Sequence, residues 1–302
     1  MGKAVKTMEA INAAMFADQG AAYRGWLGQL MPLAGDAYRT ESDDWRDHLG
    51  ASLLGRECAR EIWYGFHWAT LKRFDARMLR LFNRGHLEEP RMLALLKMIG
   101  CNVWQVQENG KQFRIKGHRG HFGGSLDGVA LGIPDMPTIP VLTEFKTHGE
   151  KSFLKLQSEG LLAAKWEHYV QMQIYMGKME LTHGLYMATN KNTDEIETEI
   201  IQFDKTQYDR YEQRSIAIIE AKEPPPRINN SPGFFKCKFC DHSKVCHLGG
   251  SLARNCRTCV HSSVGDDAAW ICGVASPVVI DGERQRLACD RYEANRKFHN
   301  KT

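Results

Sequence analysis

The sequence predicts an α/β (or α+β) core with a small metal-binding tail at its C-terminal end, on three observations. Apolar residues recur at helical spacing up to about residue 99, shift to a strand period from Cys101, and then alternate helix, strand, strand, helix to about residue 221. Glu223-Pro224-Pro225-Pro226 stops that pattern. Seven of the nine cysteines then fall in the last 66 residues, where apolar side chains are too few for a core and thiolates would fold the chain around metal.

The elements follow in order. Ile11, Met15, Ala22, Trp26 and Leu30 predict helix over Met8 to Leu33, and the polar stretch Gly35 to Asp47 reads as a linker. A second helix is expected over Ser52 to Leu71, rich in aromatics (Trp63, Tyr64, Phe66, Trp68) that suit a core better than a base-stacking platform. A third, Asp75 to Ile99, puts Met78, Leu79, Phe82, Met92, Leu95 and Leu96 on one face. Strands are expected at Asn102 to Gln107, Gln112 to Lys116, Gly120 to Leu131 and Pro140 to Lys146. One long helix, Ser152 to Met179, follows, then strands Gly184 to Ala188 and Ile196 to Phe203 and a helix from Lys205 to Ala221. As segments this gives 1–51 as an N-terminal helical region, 52–223 as the core, 224–250 as a first cysteine segment and 251–302 as a zinc-ribbon-like tail.

Composition narrows the classes. With 43% apolar and 25% charged residues among 302, the chain has the balance of an ordinary globular protein. No apolar run nears the ~20 residues that span a bilayer, so no membrane association is expected. Met1 to Met15 lacks the basic start and apolar run of a secretion signal. A reducing, cytoplasmic setting (a bacterium or a phage-infected host cell) is therefore expected, in which cysteines ligate metal sooner than pair. The net charge of +4 says little, but from Pro224 onward 12 Lys/Arg face 7 Asp/Glu. That excess suits contact with phosphates and equally suits a solvated surface.

One strand carries chemistry. Glu144 and Lys146 are two apart, so both project from one face about 6–7 Å apart, with Leu142 on the same face. Asp127 closes the segment Gly123 to Asp127 beside it. Two carboxylates on neighbouring strands can share one Mg2+ or Mn2+, which polarises a phosphodiester and acidifies a bound water. A lysine alongside can orient that water or stabilise the developing charge. Taken alone, Glu144-Phe145-Lys146 could equally be a solvent-facing pair. Gly120-His121-Phe122-Gly123-Gly124 leaves room for a bulky ligand near the backbone. Pro134-Asp135 is a literal Pro-Asp nine residues before Glu144, but it sits in a turn with two prolines, and Asp127 is the better candidate. His118, His121 and His168 lie near enough in sequence to join such a site, although lone histidines are more often structural.

Four segments, in this order, carry a resemblance: Gly85-His86-Leu87-Glu88-Glu89-Pro90, Ser125-Leu126-Asp127-Gly128, Glu144-Phe145-Lys146, and Gln171-Met172-Gln173-Ile174-Tyr175. Together, over about Ser52 to Cys246, the chain resembles the PD-(D/E)XK nuclease superfamily, in particular its RecB, lambda-exonuclease and YqaJ-like branch. The resemblance implies a restriction-endonuclease-like core, a mixed sheet flanked by helices, and a Mg2+- or Mn2+-dependent deoxyribonuclease. It implies Asp127, Glu144 and the Phe145 carbonyl as metal ligands, Lys146 as the catalytic lysine and Glu89 as the early acidic residue, with Glu88 adjacent and His86 able to serve instead. Gln171 and Tyr175, one helical turn apart, would face the active site and the DNA. An amphipathic helix whose polar side happens to include them is the plainer reading of those two residues.

Cys237, Cys240 and Cys246 form C-x2-C-x5-C and need a fourth ligand. Iron–sulfur members of the branch place one cysteine before the core and this motif after it. The resemblance thus implies a 4Fe-4S cluster on Cys58, Cys237, Cys240 and Cys246, which would close a loop of nearly 180 residues. Zn2+ with His242 or His247 is the alternative, and Cys58 could instead be a plain buried helix cysteine. Cys256 and Cys259, followed by Cys272 and Cys289, read as a separate Zn2+ site, with His261 and His299 as possible substitutes. Cys101 is expected in the core. The function expected from all this is a DNA nuclease, by resemblance an exonuclease, acting in recombination, replication or repair, with a phage-type single-strand annealing protein as a possible partner. A metal-stapled DNA-binding scaffold with an inactive nuclease core is the rival reading.

Overall fold

A computed structural model describes residues 2–36, 38, 45–71, 73–108 and 110–299. In chain order the elements are β1 (Gly2–Lys3), α1 (Val5–Ala17), α2 (Ala21–Leu30), β2 (Leu49–Gly50), α3 (Ala59–Phe66), α4 (Ala76–Met98), β3 (Asn102–Trp104), β4 (Arg114–Gly117), β5 (Phe122–Ser125), β6 (Gly128–Leu131) and β7 (Val141–His148). There follow α5 (Glu150–Ala164), α6 (Trp166–Lys178), β8 (His183–Asn190), β9 (Ile196–Gln202), α7 (Lys205–Glu220), α8 (Phe235–Lys238), α9 (Ser243–Leu248), β10 (Ser262–Val264), β11 (Trp270–Cys272), β12 (Val278–Ile280) and α10 (Gly282–Leu287).

Compactness divides the chain differently from the linear segments expected above. Unit 1 comprises residues 1–38, 74–115 and 124–209; unit 2 comprises 39–73, 116–123 and 210–302. Much of the expected linker 35–47 lies outside the described residues.

Unit 1 is a six-stranded mixed sheet in the order β1-β9-β8-β7-β6-β3. The central pair β7–β8 is parallel, and the other pairs are antiparallel. The parallel pair demands a crossover, which α5 and α6 supply. Alternation along β7 sorts its two faces. Val141 and Phe145 join Leu185 and Met187 of β8, Ala130 of β6 and the α4 side chains Met92, Leu93, Leu95 and Leu96 in one buried cluster that also takes in Ile11 of α1. On the other face, Gly184 of β8 lets Met172 and Met176 of α6 lie against the sheet beside Leu142. Asp75 caps α4, its carboxylate accepting the Met78 N–H at 2.7 Å.

The expected helix Ser152 to Met179 is divided at Lys165, at φ −142°, into α5 and α6, and α5 is itself kinked at Gly160. Gly160 takes φ +74°, open to glycine at little cost, and the Glu199 carboxylate of β9 accepts the Leu161 N–H at 2.7 Å, restarting the helix there. The expected strand Gly120 to Leu131 likewise splits into β5 and β6, with Asp127 in the bend between them.

Unit 2 packs around α3. Trp63, Tyr64 and Phe66 are buried there, as expected of core aromatics. The Arg257 guanidinium, 3% exposed, sits over the rings of Trp68 and Trp270 and donates to the carbonyls of Phe66 and Asp47 and to Gln285 Oε1, each at 3.0 Å. Carbonyl acceptors, π faces and the nearby Asp47 charge offset part of the cost of burying this cation. The segment 118–121 docks closely on residues 265–268. Gly120, at φ +79°, brings its backbone so near Ala268 that a Cβ would meet the Ala268 nitrogen at 2.8 Å. The strands β10, β11 and β12 form a small antiparallel sheet.

Candidate active site

Every residue of the expected acidic site lies in unit 1. Glu144 and Lys146 extend from the middle of β7, where pairing with β6 on one edge and β8 on the other fixes the backbone. The Glu144 side chain is 1% exposed and that of Lys146 26%. The Lys146 ammonium donates to Glu144 Oε1 and, at 3.2 Å, to the Phe145 carbonyl. Asp127 Oδ2 accepts the Phe145 N–H at 2.7 Å, which ties the β5–β6 bend to the same strand. Glu144 Oε2 is buried and has no hydrogen-bond partner among the described residues.

Electrostatics place Glu89 of α4 in this group. Burial, then the charges of Asp127 and Glu144, push its carboxyl up to about 8, with Lys146 pulling the other way. Burial pushes Glu144 up to about 7, Lys146 opposing and Asp127 adding to it. Asp127 is also raised by burial, against Lys146, its backbone hydrogen bond and His86. For Lys146 burial favours the neutral amine, but Glu144 and Asp127 outweigh it and keep the ammonium charged. Three acids thus share one lysine, a cluster short of positive charge.

Gln171 and Tyr175 share the inner face of α6, with Gln171 Nε2 donating to the Tyr175 hydroxyl at 3.3 Å. Glu144 and Asp127 both act on the Tyr175 phenol, whose pKa rises mainly through burial. That phenol lies so near Gly124 that a Cβ there would meet the hydroxyl at 2.6 Å.

Two neighbours went unread in the sequence. Tyr186 of β8 stands opposite Glu144 in the parallel register, and its hydroxyl meets His148 Nε2 at 2.9 Å and His168 Nδ1 at 2.8 Å. Burial, with nearby lysines, lowers His148 to about 4 and His168 to about 2, so both are neutral. The period of two that pairs Glu144 with Lys146 reaches His148 next and could have found it.

Other candidates fall elsewhere. Asp135 accepts the Thr7 N–H and hydroxyl on Oδ2, at 2.8 and 2.6 Å, so the literal Pro-Asp serves the start of α1. His118 pairs with Glu220, and His121 Nε2 lies 3.0 Å from the Gly265 carbonyl, all within unit 2. Glu88 is paired with Arg91. Cys101 is buried and its thiol donates to the Gly132 carbonyl.

The cysteines form two sets in unit 2. Cys58 caps α3, its sulfur accepting the Glu61 N–H at 3.4 Å. Burial raises the Cys237 thiol, and Cys58 and Cys246 add to it; burial pushes Cys240 up to about 12, with Cys58 among the contributors. Burial likewise pushes Cys256 up to about 11, with Cys259, Cys289 and Cys272 adding to it. All nine thiols are free.

No group of three or more His, Cys, Asp or Glu side chains among the described residues is arranged to hold a metal ion as it stands. Donor chemistry is a separate matter. Buried carboxylates that raise one another, with an orphaned Glu144 Oε2 between them, are the oxygen donors a hard divalent cation takes.

The sequence matches no protein-family model and no curated protein. Among solved structures the chain is similar to LHK-Exo in complex with dAMP, at 16% identity over 59% of this chain and 88% of that one, with a TM-score of 0.42. The same exonuclease, described as an alkaline exonuclease from Laribacter hongkongensis, also matches at 13% identity, 65% and 90% coverage and a TM-score of 0.40. SSO0001 matches at 16% identity, 74% and 94% coverage and a TM-score of 0.38. No helix among the described residues is long and apolar enough to cross a membrane.

Proposed function

We propose that unit 1 is a metal-dependent DNA nuclease that hydrolyses phosphodiester bonds, acting as an exonuclease in recombination, replication or repair. One observation carries the reading: Glu144 and Lys146 leave the same face of β7 beside Asp127 and Glu89, and Glu144 keeps one buried oxygen unpartnered. The order of the four sequence motifs supports it. Asp127, Glu144 and the Phe145 carbonyl would hold Mg2+ or Mn2+, with Glu89 or His86 beside them. Bound there, the ion would supply Lewis acidity toward the phosphate and a water of lowered pKa.

The remaining roles belong to the chain itself. Lys146 stays protonated, so it serves as a donor to the attacking water or to charge developing on phosphate, and not as a general base. Glu144 and the Phe145 carbonyl hold its ammonium in place. The Tyr175 phenol stays neutral, and with Gln171 it offers donors to a DNA strand. On the same reading Cys58, Cys237, Cys240 and Cys246 would hold a 4Fe-4S cluster, with Zn2+ as the other candidate. A single-strand annealing protein is the partner this activity would suit.

The test is degradation of end-labelled linear DNA and circular DNA by the full-length protein with Mn2+ or Mg2+. Linear DNA should be degraded and circular DNA spared. Lys146→Ala should lower the rate by about 10²- to 10³-fold, the scale for losing one such donor, and Asp127→Ala should abolish it, both with unchanged circular dichroism. A wild type that binds DNA but cleaves none with either metal would replace this reading with the scaffold one.

A further inference from the structure

The four cysteines outside the Cys58 set come from three separate pieces of unit 2. Cys256 and Cys259 bracket a single 3-10 turn, in which the Cys259 N–H donates to the Cys256 carbonyl at 3.0 Å. Cys272 ends β11 in register with Ser262 of β10, and the Ser262 N–H donates back to the Cys259 carbonyl. Cys289 follows α10, its carbonyl accepting the Tyr292 N–H and Arg254 Nη2. The backbone thus aims four thiols from distant points in the sequence at one place. All four line a single cavity of about 20 Å³, which has room for one water-sized or ion-sized occupant. Its wall also includes Val274 and Ile280.

Trp270 and Ile280 pack one face of the small sheet, and no covalent cross-link adds to it. The strands β10, β11 and β12 are three residues each, and Val278 and Val279 of β12 face solvent. Three strands this short do not make a stable sheet without a packed face or a cross-link. No disulfide supplies one.

We propose that Cys256, Cys259, Cys272 and Cys289 bind one Zn2+ through four sulfurs, and that this ion ties the Cys256-to-Cys259 turn, β11 and the end of α10 together. Four sulfurs with one Cys-x2-Cys turn are a donor set that Zn2+ takes in a closed, structural site. Binding exchanges each S–H for an S–Zn bond, releases the protons to solvent and draws the sulfurs in around the ion. The cavity wall also holds the His261 imidazole and the Arg291 guanidinium, of which only the imidazole is a metal ligand; with four sulfurs the coordination is complete without it. His299 lies 3.3 Å from the Val245 carbonyl and does not line the cavity. The proposal stands apart from the nuclease reading, because it concerns only unit 2.

The test is metal analysis of full-length protein purified under reducing conditions without added metal. One Zn2+ should be lost from Cys272→Ser and from Cys289→Ser, but kept by Cys237→Ser and His261→Ala. Metal-stripped wild type titrated with Co2+ should give the sulfur-to-cobalt charge-transfer and d–d bands of a four-sulfur tetrahedral site, bleached by Zn2+. If the serine variants are insoluble, the titration decides by itself. Zn2+ retained by both serine variants, loss of Zn2+ in His261→Ala, iron in place of Zn2+ at these four positions, or a wild type without tetrahedral Co2+ bands would each overturn the proposal.

Discussion

In unit 1 the acidic group is mounted on β7, a strand paired along both edges and packed on both faces, whereas in unit 2 the cysteines sit in turns, in or beside short helices and at the end of one three-residue strand. Both regions crowd ionisable groups, yet only the first is mounted on a strand paired along both edges. The lesson concerns what each region needs in order to be finished. A site on a sheet is held to its geometry by the core beneath it, while a site on turns depends on what it binds or on a few buried keystones. In unit 2 those keystones are Arg257 and His67, and they are where the contrast can be broken.

Arg257→Met should have the largest effect on stability. It keeps the stem but strands the Phe66 and Asp47 carbonyls and Gln285 in a buried setting. A loss of about 3–5 kcal/mol is expected, seen as early loss of hydrogen-exchange protection in α3 and the 3-10 turn Cys256–Thr258 while β7 and β8 stay protected. Equal loss in both units would erase the contrast.

His67 gives the next effect, through pH. It is 7% exposed, and burial lowers its pKa to about 3, well under the unfolded value near 6.5. Between these values the unfolded chain binds a proton that the folded one does not. The stability that His67 contributes is therefore complete above about pH 6.5 and is lost as pH drops toward 3, by at most about 1.4 kcal/mol per pH unit for this one group. Denaturant midpoints from pH 7 to 4.5 should show this slope for wild type and a shallower one for His67→Gln. Parallel slopes would refute the assignment.

In unit 1 the expected effects are smaller. Gly124→Ala puts a Cβ into the Tyr175 ring and should cost about 1–3 kcal/mol by overpacking. Tyr175 must shift, so cleavage should fall more than stability alone explains. Asp135→Ala removes the acceptor for the Lys6 N–H and for Thr7, at about 1 kcal/mol, and cleavage should be unchanged in a nuclease assay. A nuclease-dead Asp135→Ala would restore the literal Pro-Asp as the working pair.

Much of unit 1 was legible because its signals are local. Helix α4 begins at the Asp75 cap and ends within a residue of the expected stop. Strand β7 was read to within two residues, and its alternation already set Glu144 and Lys146 on one side. What was not legible came from partners far away in sequence. The break at Gly160 depends on Glu199, 39 residues on from it. Tyr186 joins the site only through the register of β8 against β7, which no local pattern specifies. Asp127 and Asp135 could be ranked by turn chemistry, but only the contact with Thr7 shows what Asp135 does instead.

The way the two units share the chain bears on how the protein is made. Residues 39–73 and 116–123 pack with 210–302, so they leave the ribosome long before the segment that covers them. Trp63, Tyr64 and Phe66 must wait, uncovered, until residues 210–299 have been made. A nascent chain stopped near residue 223 would display that aromatic helix to any chaperone or neighbouring chain, so the vulnerable interval runs from the emergence of α3 to that of the residues that cover it.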